Sequence, residues 1–182
     1  PSIVPSCIAA LETLGLDSEG LFRVPGSGSQ IDTLKSAYDA GQDLLADGSI
    51  PEGIHADAIA GCLKLFLRQL ADPVMTQQHY STLVKIGNMA GRDARLQALR
   101  AAVERLLPPA HSQVLALIMP FLKRVAAHAN VNKMSVSNLA MVFGPTIMPA
   151  PKDDMGAMLR DATAINTLTS EMIEYSEYIF AK

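Results

Sequence analysis

The stretch DAIAGCLKLFLRQL, residues 57–70, decides the fold class. Ile59, Cys62, Leu63, Phe66, Leu67 and Leu70 recur at helical spacing and, at about 100° per residue, gather on one side of a helix. A stripe that wide must be covered by other elements of a core. Asp57, Gly61, Lys64 and Arg68 fall on the opposite side, a polar stripe with its smallest member in the middle. Either water or a partner must meet it, and charges opposite an apolar face are ordinarily just solvated.

Outward from this helix the same periodicity repeats. Upstream, Ile3, Cys7, Ile8, Leu11 and Leu14 mark a first helix stopped by Gly15, followed by a loop from Leu16 to Ser29. Ile31, Leu34 and Tyr38 mark a second, with Ser29 and Asp32 spaced as a capping box, and Ala40 to Gly53 reads as a connection. Downstream come Tyr80, Leu83, Val84 and Ile86, then Leu96, Leu99, Val103 and Leu106, ended by Pro108 and Pro109. Val114, Leu117, Ile118, Phe121, Leu122 and Val125 form another stripe, in which Pro120 should bend the helix or locally break its bonding. Val136, Leu139, Ala140 and Phe143 face inward in a short helix that Gly144 and Pro145 should stop. A last long helix has Met158, Ala162, Ile165, Leu168, Met172 and Ile179 inward. With no period-two alternation between hairpin turns, the expected fold is all-α.

Bulk properties bound the function. At 182 residues the chain has the size of one ordinary domain and needs no metal or disulfide to hold a core. Its formal charge of -3 argues against a nucleic-acid binder working through a general basic field, so any anion site must be small and local. No apolar run is long enough for a membrane span. Cys7 and Cys62 lie within apolar helical patterns and read as buried thiols in a reducing compartment. His55, His79, His111 and His128 show no paired ligand spacing, so no metal site is expected, and the nine methionines read as core filler. The GSGS run at residues 26–29 follows a helix and loop and lacks the lysine of a phosphate-binding loop, so it reads as a helix start capped by Ser29. A chain opening with Pro1 and without a signal-peptide pattern reads as a segment of a longer protein.

Three stretches, in this order, resemble the Rho GTPase-activating (RhoGAP) family: EGLFRVPGS at residues 19–27, LKLFLRQLADPV at 63–74 and NKMSVSNLAMVFGPTI at 132–147. With the leading VPSCIAALETLGL, the resemblance extends over most of the chain, and a RhoGAP-like domain over 1–182 is expected. The resemblance implies a bundle of about nine helices that docks on the switch regions of a GTP-bound, Rho-type small GTPase and inserts an arginine. It further implies no cofactor of its own, GTP and Mg²⁺ being carried by the partner. A monomeric, cytoplasmic domain without membrane insertion is expected. Departures from the family pattern are Ala71 and Asp72 before Pro73, where the family usually has Pro-Glu-Pro, His55 two residues ahead of the usual histidine position, and Ala164 where some members have proline before an Ile-Asn pair, here Ile165 and Asn166.

On the residues alone, a loop arginine such as Arg23 is ordinarily just a surface residue. Its neighbours are more telling, since burial of Phe22 and Val24 would anchor the loop and project the guanidinium outward. The resemblance implies that Arg23 is the inserted catalytic arginine, a planar, permanently charged fork suited to phosphate oxygens. It also implies that Lys64 touches the GTPase or its nucleotide region and that Arg68 braces the arginine loop through backbone carbonyls. Asn138 would hold that loop or bond a switch region, and Asn166 would contact the partner. Two other classes stay open: a module that binds a GTPase or another protein without stimulating it, and a self-contained hydrolase, for which no nucleophile and base constellation is visible.

Overall fold

The computed structural model describes residues 2–154 and 156–181; Pro1, Met155 and Lys182 lie outside the described residues. The expected inward stripes become eleven helices and no strand among the described residues. They are α1 (Ile3–Leu14), α2 (Gly28–Asp39), α3 (Ala56–Arg68), α4 (Tyr80–Gly87), α5 (Arg92–Arg105), α6 (Pro109–Ala127), α7 (Ala129–Asn132), α8 (Val136–Ile147), α9 (Ala157–Arg160), α10 (Ala162–Glu174) and α11 (Ser176–Ile179). The count exceeds nine because α7, α9 and α11 are four-residue turns of helix.

Packing follows the apolar stripes. α3 lays Ile59, Cys62, Leu63 and Leu67 inward and is covered by α1, α2 and α8. α8 packs most extensively on α10, which also meets α4 and α6. α6 carries Leu115, Ile118, Met119, Phe121, Leu122 and Val125 into the centre, all fully buried. The long helices α3, α6, α8 and α10 thus surround one interior, with α1 and α2 on one flank and α4, α5 and α11 on the other.

Local chemistry adjusts several expected boundaries. The N-cap of α2 is Ser27, not Ser29, and its hydroxyl meets that of Ser29 at 2.9 Å instead of capping a backbone N–H, so no capping box forms. α6 runs on through Pro120, since a single missing N–H frees only the Ala116 carbonyl. Likewise α8 does not stop at Gly144 and Pro145 but continues to Ile147. Pro145 cannot donate to the carbonyl of Met141, but Met141 is 54% exposed and water can take that place. Met158, expected inward, is 59% exposed, because the last helical segment is broken into α9, α10 and α11 and the short α9 turns that side chain out. Leu117 also faces solvent. No helix among the described residues is long and apolar enough to cross a membrane.

Candidate functional site

The loop between α1 and α2 folds over the polar side of α3. Its apex is a tight turn in which the N–H groups of Arg23 and Val24 both donate to the Gly20 carbonyl, at 2.7 and 2.8 Å. Gly20 has φ +73°, and a Cβ there would stand 2.5 Å from a Val24 methyl carbon, so only glycine fits. Phe22 also has φ +72°, a conformation that costs a bulky L-residue roughly 1–3 kcal/mol and persists only when its surroundings over-determine it.

Three contacts supply that determination. The Phe22 ring is buried edge-on between Phe121 of α6, at 6.0 Å between centroids, and Phe143 of α8, at 5.0 Å. Lys64 of α3 donates its ammonium to the Phe22 carbonyl. Asn132, at the end of α7, accepts the Gly20 N–H on its backbone carbonyl at 2.7 Å. The Asn132 side chain is itself fully buried: its amide N–H groups donate to the Leu16 and Val125 carbonyls at 2.8 and 2.9 Å, and its Oδ1 accepts from the Met134 N–H at 2.7 Å. The start of the loop at Leu16, the foot of its turn at Gly20 and the end of α6 at Val125 therefore converge on one residue, Asn132.

The Arg23 guanidinium lies alongside Gly20 at the base of the turn. It is exposed, and none of the ion pairs among the described residues involves it. Of its two neighbours only Phe22 is buried; Val24 is 42% exposed, so one aromatic side chain does the anchoring expected of both.

The polar stripe of α3 is met chiefly by the protein itself. Gly26 seats the loop so closely that a Cβ would lie 2.5 Å from the Asp57 carbonyl carbon and oxygen, and α2 packs Ile31 against Gly61. Asp57 keeps one buried carboxylate oxygen without a hydrogen-bond partner; burial raises its pKa, which His55 pulls the other way. Lys64 is half-buried, and its pKa is lowered first by burial and then by the neighbouring Arg68. The carbonyl brace expected of Arg68 is made by Lys64, one helical turn earlier, while Arg68 is exposed at the rim. Arg23, Lys64 and Arg68 thus form a local cationic patch on an otherwise acidic chain.

Gly26→Ala is expected to cost about 1–3 kcal/mol, because the obstacle is α3 backbone. Gly61→Ala should be near neutral, since its obstacle is the free end of Ile31 and alanine favours helix by up to about 1 kcal/mol. Urea unfolding midpoints of the two variants check the contrast.

Asn138 does not reach the loop. Its side chain donates to the Lys133 carbonyl at 2.9 Å, and its backbone N–H is capped by Ser135 Oγ at 3.2 Å, so it fixes the turn from α7 into α8. The loop support expected of Asn138 comes from Asn132, six positions earlier. On α8, Asn138, Met141 and Pro145 share one side. Pro145 lies between two clefts: one of about 250 Å³ that Arg68 also lines, and one of about 210 Å³ lined by Met141, Met158, Ile165 and Asn166. The surface from Arg23 through Lys64, Arg68 and Pro145 to Asn166 is therefore continuous, and it ends in two exposed apolar side chains, Met141 and Met158. No group of three or more His, Cys, Asp or Glu side chains is placed to hold a metal among the described residues.

Comparison with known proteins adds an independent line. The family model described as "RhoGAP domain" matches residues 1–152. N-chimaerin of Rattus norvegicus is 37% identical over 180 residues, which cover 99% of this chain and 53% of the relative, so the chain spans about half the length of that protein. Among solved structures, the BH domain from GRAF, the GTPase regulator associated with focal adhesion kinase, superposes with a TM-score of 0.87 at 32% identity, covering 100% of this chain and 94% of that one. Human Rho GTPase activating protein 15 gives 0.91 at 28% identity, covering 100% and 84%.

Proposed function

Since the chain belongs to the RhoGAP domain family, we propose that it accelerates GTP hydrolysis by a Rho-family small GTPase, and that it does so in trans by placing Arg23 in the partner's active site. The observation that carries this reading is the contrast within one turn: an exposed guanidinium, outside the ion pairs of the described residues, on a backbone anchored by Phe22, Lys64 and Asn132.

Negative charge moves toward the β–γ bridging oxygen as GTP is cleaved, and a fixed cation there lowers the barrier. The partner brings the nucleotide, Mg²⁺ and the residue that orients water. This chain adds a donor fork whose loop loses little freedom on docking, because its backbone is already ordered. Lys64 supports that fork from below, since its bond to the Phe22 carbonyl fixes the peptide next to Arg23. Arg68, exposed beside it, and Asn138 and Asn166 along the same surface contact the partner's switch regions, with the apolar side chains of α8 and α9 excluding water around them. In this reading the domain is an activator, and the bond-breaking centre belongs to the GTPase.

Mixing the chain with a panel of GTP-loaded Rho-family GTPases and timing phosphate release tests the proposal. Acceleration of at least one member is expected. Binding without acceleration would identify a non-catalytic module instead, and phosphate release in the absence of any GTPase would point to a self-contained hydrolase.

The apolar end of the surface yields a separate prediction. Met141→Asp should weaken binding to the GTP-loaded partner by about ten- to a hundredfold, because a charge would be desolvated in the contact. Stability should barely change, as Met141 is 54% exposed. Titration of a fluorescent GTPase complex measures the first, and thermal unfolding the second.

A further inference from the structure

Little of the four-residue helix α9 is held by burial. A single turn is unfavourable by itself, because its nucleus orders several residues for one hydrogen bond. Of its four residues only Ala157 is buried, while Met158 and Leu159 are both exposed. The turn must therefore be fixed from its ends, and its rotation matters. Successive residues on a helix stand about 100° apart, so the angle of the turn decides which apolar side chain it presents. Met158 lines the cleft shared with Met141, Ile165 and Asn166, and Leu159 does not.

Before the turn, the Asp154 carboxylate accepts the Ala157 N–H at 3.1 Å and pairs with Arg160 at 2.6 Å. Both side chains of that pair are exposed, so water and salt screen it and it contributes little. After the turn the setting differs. Asp161, which joins α9 to α10, is buried; its N–H donates to the Ala157 carbonyl at 2.9 Å and its carbonyl accepts the Ile165 N–H at 3.0 Å. Its carboxylate accepts the hydroxyl of Tyr80, the first residue of α4, at 3.1 Å across a buried contact. Arg160 Nε stays 3.5 Å from the other carboxylate oxygen. Burial, and then this bond to Asp161, push the Tyr80 hydroxyl up to about 12, so it remains a donor near neutral pH.

The place of α4 does not depend on that hydroxyl. A Cβ at Gly87 would lie 2.6 Å from the Ala164 carbonyl oxygen, so the far end of α4 is pressed onto α10 by its backbone. Tyr80 thus reaches Asp161 from a fixed base, and loss of the hydroxyl would release Asp161 without displacing α4. A buried carboxylate deprived of a donor is costly to leave in place, and it turns toward water. Because the Asp161 N–H closes α9, that movement turns Met158 away from the cleft.

We propose that Tyr80 and Asp161 are positioning residues for partner docking: their hydrogen bond sets the rotation of α9 and so presents Met158 at the end of the surface that begins at Arg23. Tyr80 lines neither cleft of that surface and acts through Asp161. The inference rests on the activator reading above. It adds that affinity for the GTPase is governed in part from α4, a helix outside the contact, while the chemical step at Arg23 is not.

Tyr80→Phe removes one oxygen and keeps the ring. Titrated against a panel of GTP-loaded Rho-family GTPases, it should raise the concentration for half-maximal acceleration by about three- to tenfold and leave the saturating rate within about twofold of wild type. Asp161→Asn keeps an oxygen for the Tyr80 hydroxyl and should retain most of the affinity, which separates the inner bond from the Arg160 pair. Met158→Ala should weaken the complex by itself, and adding Tyr80→Phe to it should cost less than about a further twofold, because the side chain being positioned is gone. Hydrogen exchange of the chain without a partner gives a second readout: the amides of Ala157, Arg160 and Asp161 should exchange faster in Tyr80→Phe, with α3 and α6 protected as in wild type. Unchanged exchange at α9, full additivity with Met158→Ala, or a loss confined to the saturating rate would overturn the positioning role. If wild type engages no member of the panel, the activator reading falls and this role with it. If wild type, Tyr80→Phe and Met158→Ala engage the GTPase equally well, the activator reading stands and this role alone falls.

Discussion

Arg23→Ala is expected to lower single-turnover phosphate release from a GTP-loaded Rho-family partner by a factor on the order of 10³–10⁵, equivalent to about 4–7 kcal/mol of barrier. The loss should fall on the rate and not on the fold. Arg23 is exposed and outside the ion pairs of the described residues, so unfolding stability should stay within about 0.5 kcal/mol of wild type. Binding should largely survive as well, because the docking surface extends through Arg68 and Pro145 to the apolar side chains of α8 and α9. Arg23→Lys separates charge from shape. It keeps one positive charge but loses the planar fork, and should recover only a small part of the acceleration. Measuring phosphate release and complex affinity on the same variants keeps catalysis and docking apart, and acceleration within tenfold of wild type by Arg23→Ala would remove the arginine from the mechanism.

How far sequence alone reaches depends on the range of the interactions. The helix α3 is readable because Ile59, Cys62, Leu63 and Leu67 encode its buried side by local spacing alone. The same spacing puts Lys64 and Arg68 on one face but not at one depth. Which of two cations a turn apart lies under the loop and which at the rim is set by where residues 19–27 cross the helix, a tertiary fact. Gly26 and Gly61 are visibly small, but what they make room for, the backbone of α3 against the loop and Ile31 of α2, is not written locally. Phe22 is legible as an anchor and not as a strained one: its positive φ is held by Phe121 and Phe143, about a hundred positions away in the chain. Val24, equally apolar, needs no such pocket and stays outside. The helix stop expected at Gly144 and Pro145 fails for a related reason. Proline removes one donor, and exposure of the freed carbonyl decides whether the helix tolerates the loss.

Asn132→Ala is expected to be the most damaging single change away from the exposed surface, at about 2–6 kcal/mol of stability together with most of the GTPase acceleration. The stability loss follows from the partners left behind. Without the side-chain amide, the buried Met134 N–H and the Leu16 carbonyl lose the bonds that Asn132 provides, at roughly 1–3 kcal/mol each. The Val125 carbonyl is spared, because the His128 N–H also donates to it at 3.1 Å. Activity should fall with stability because the same residue's backbone carbonyl receives the Gly20 N–H, and a shift of the turn out of α7 moves the base of the Arg23 loop. A sign of this role is present in the sequence: an asparagine two residues before an apolar Met134, where its Oδ1 can close an Asx turn on the N–H two positions on. Asn132→Asp is the more discriminating variant. It is isosteric and keeps the acceptor for Met134, but it cannot donate to two carbonyls and brings a charge into a fully buried site, so it should be no better than alanine. If volume alone mattered, aspartate would rescue. Urea unfolding of both variants, with phosphate release measured at a temperature where each remains folded, distinguishes the two accounts: a variant that is fully folded yet catalytically weak places Asn132 in the positioning of Arg23, and wild-type acceleration by the folded Asn132→Ala would leave it a purely structural residue.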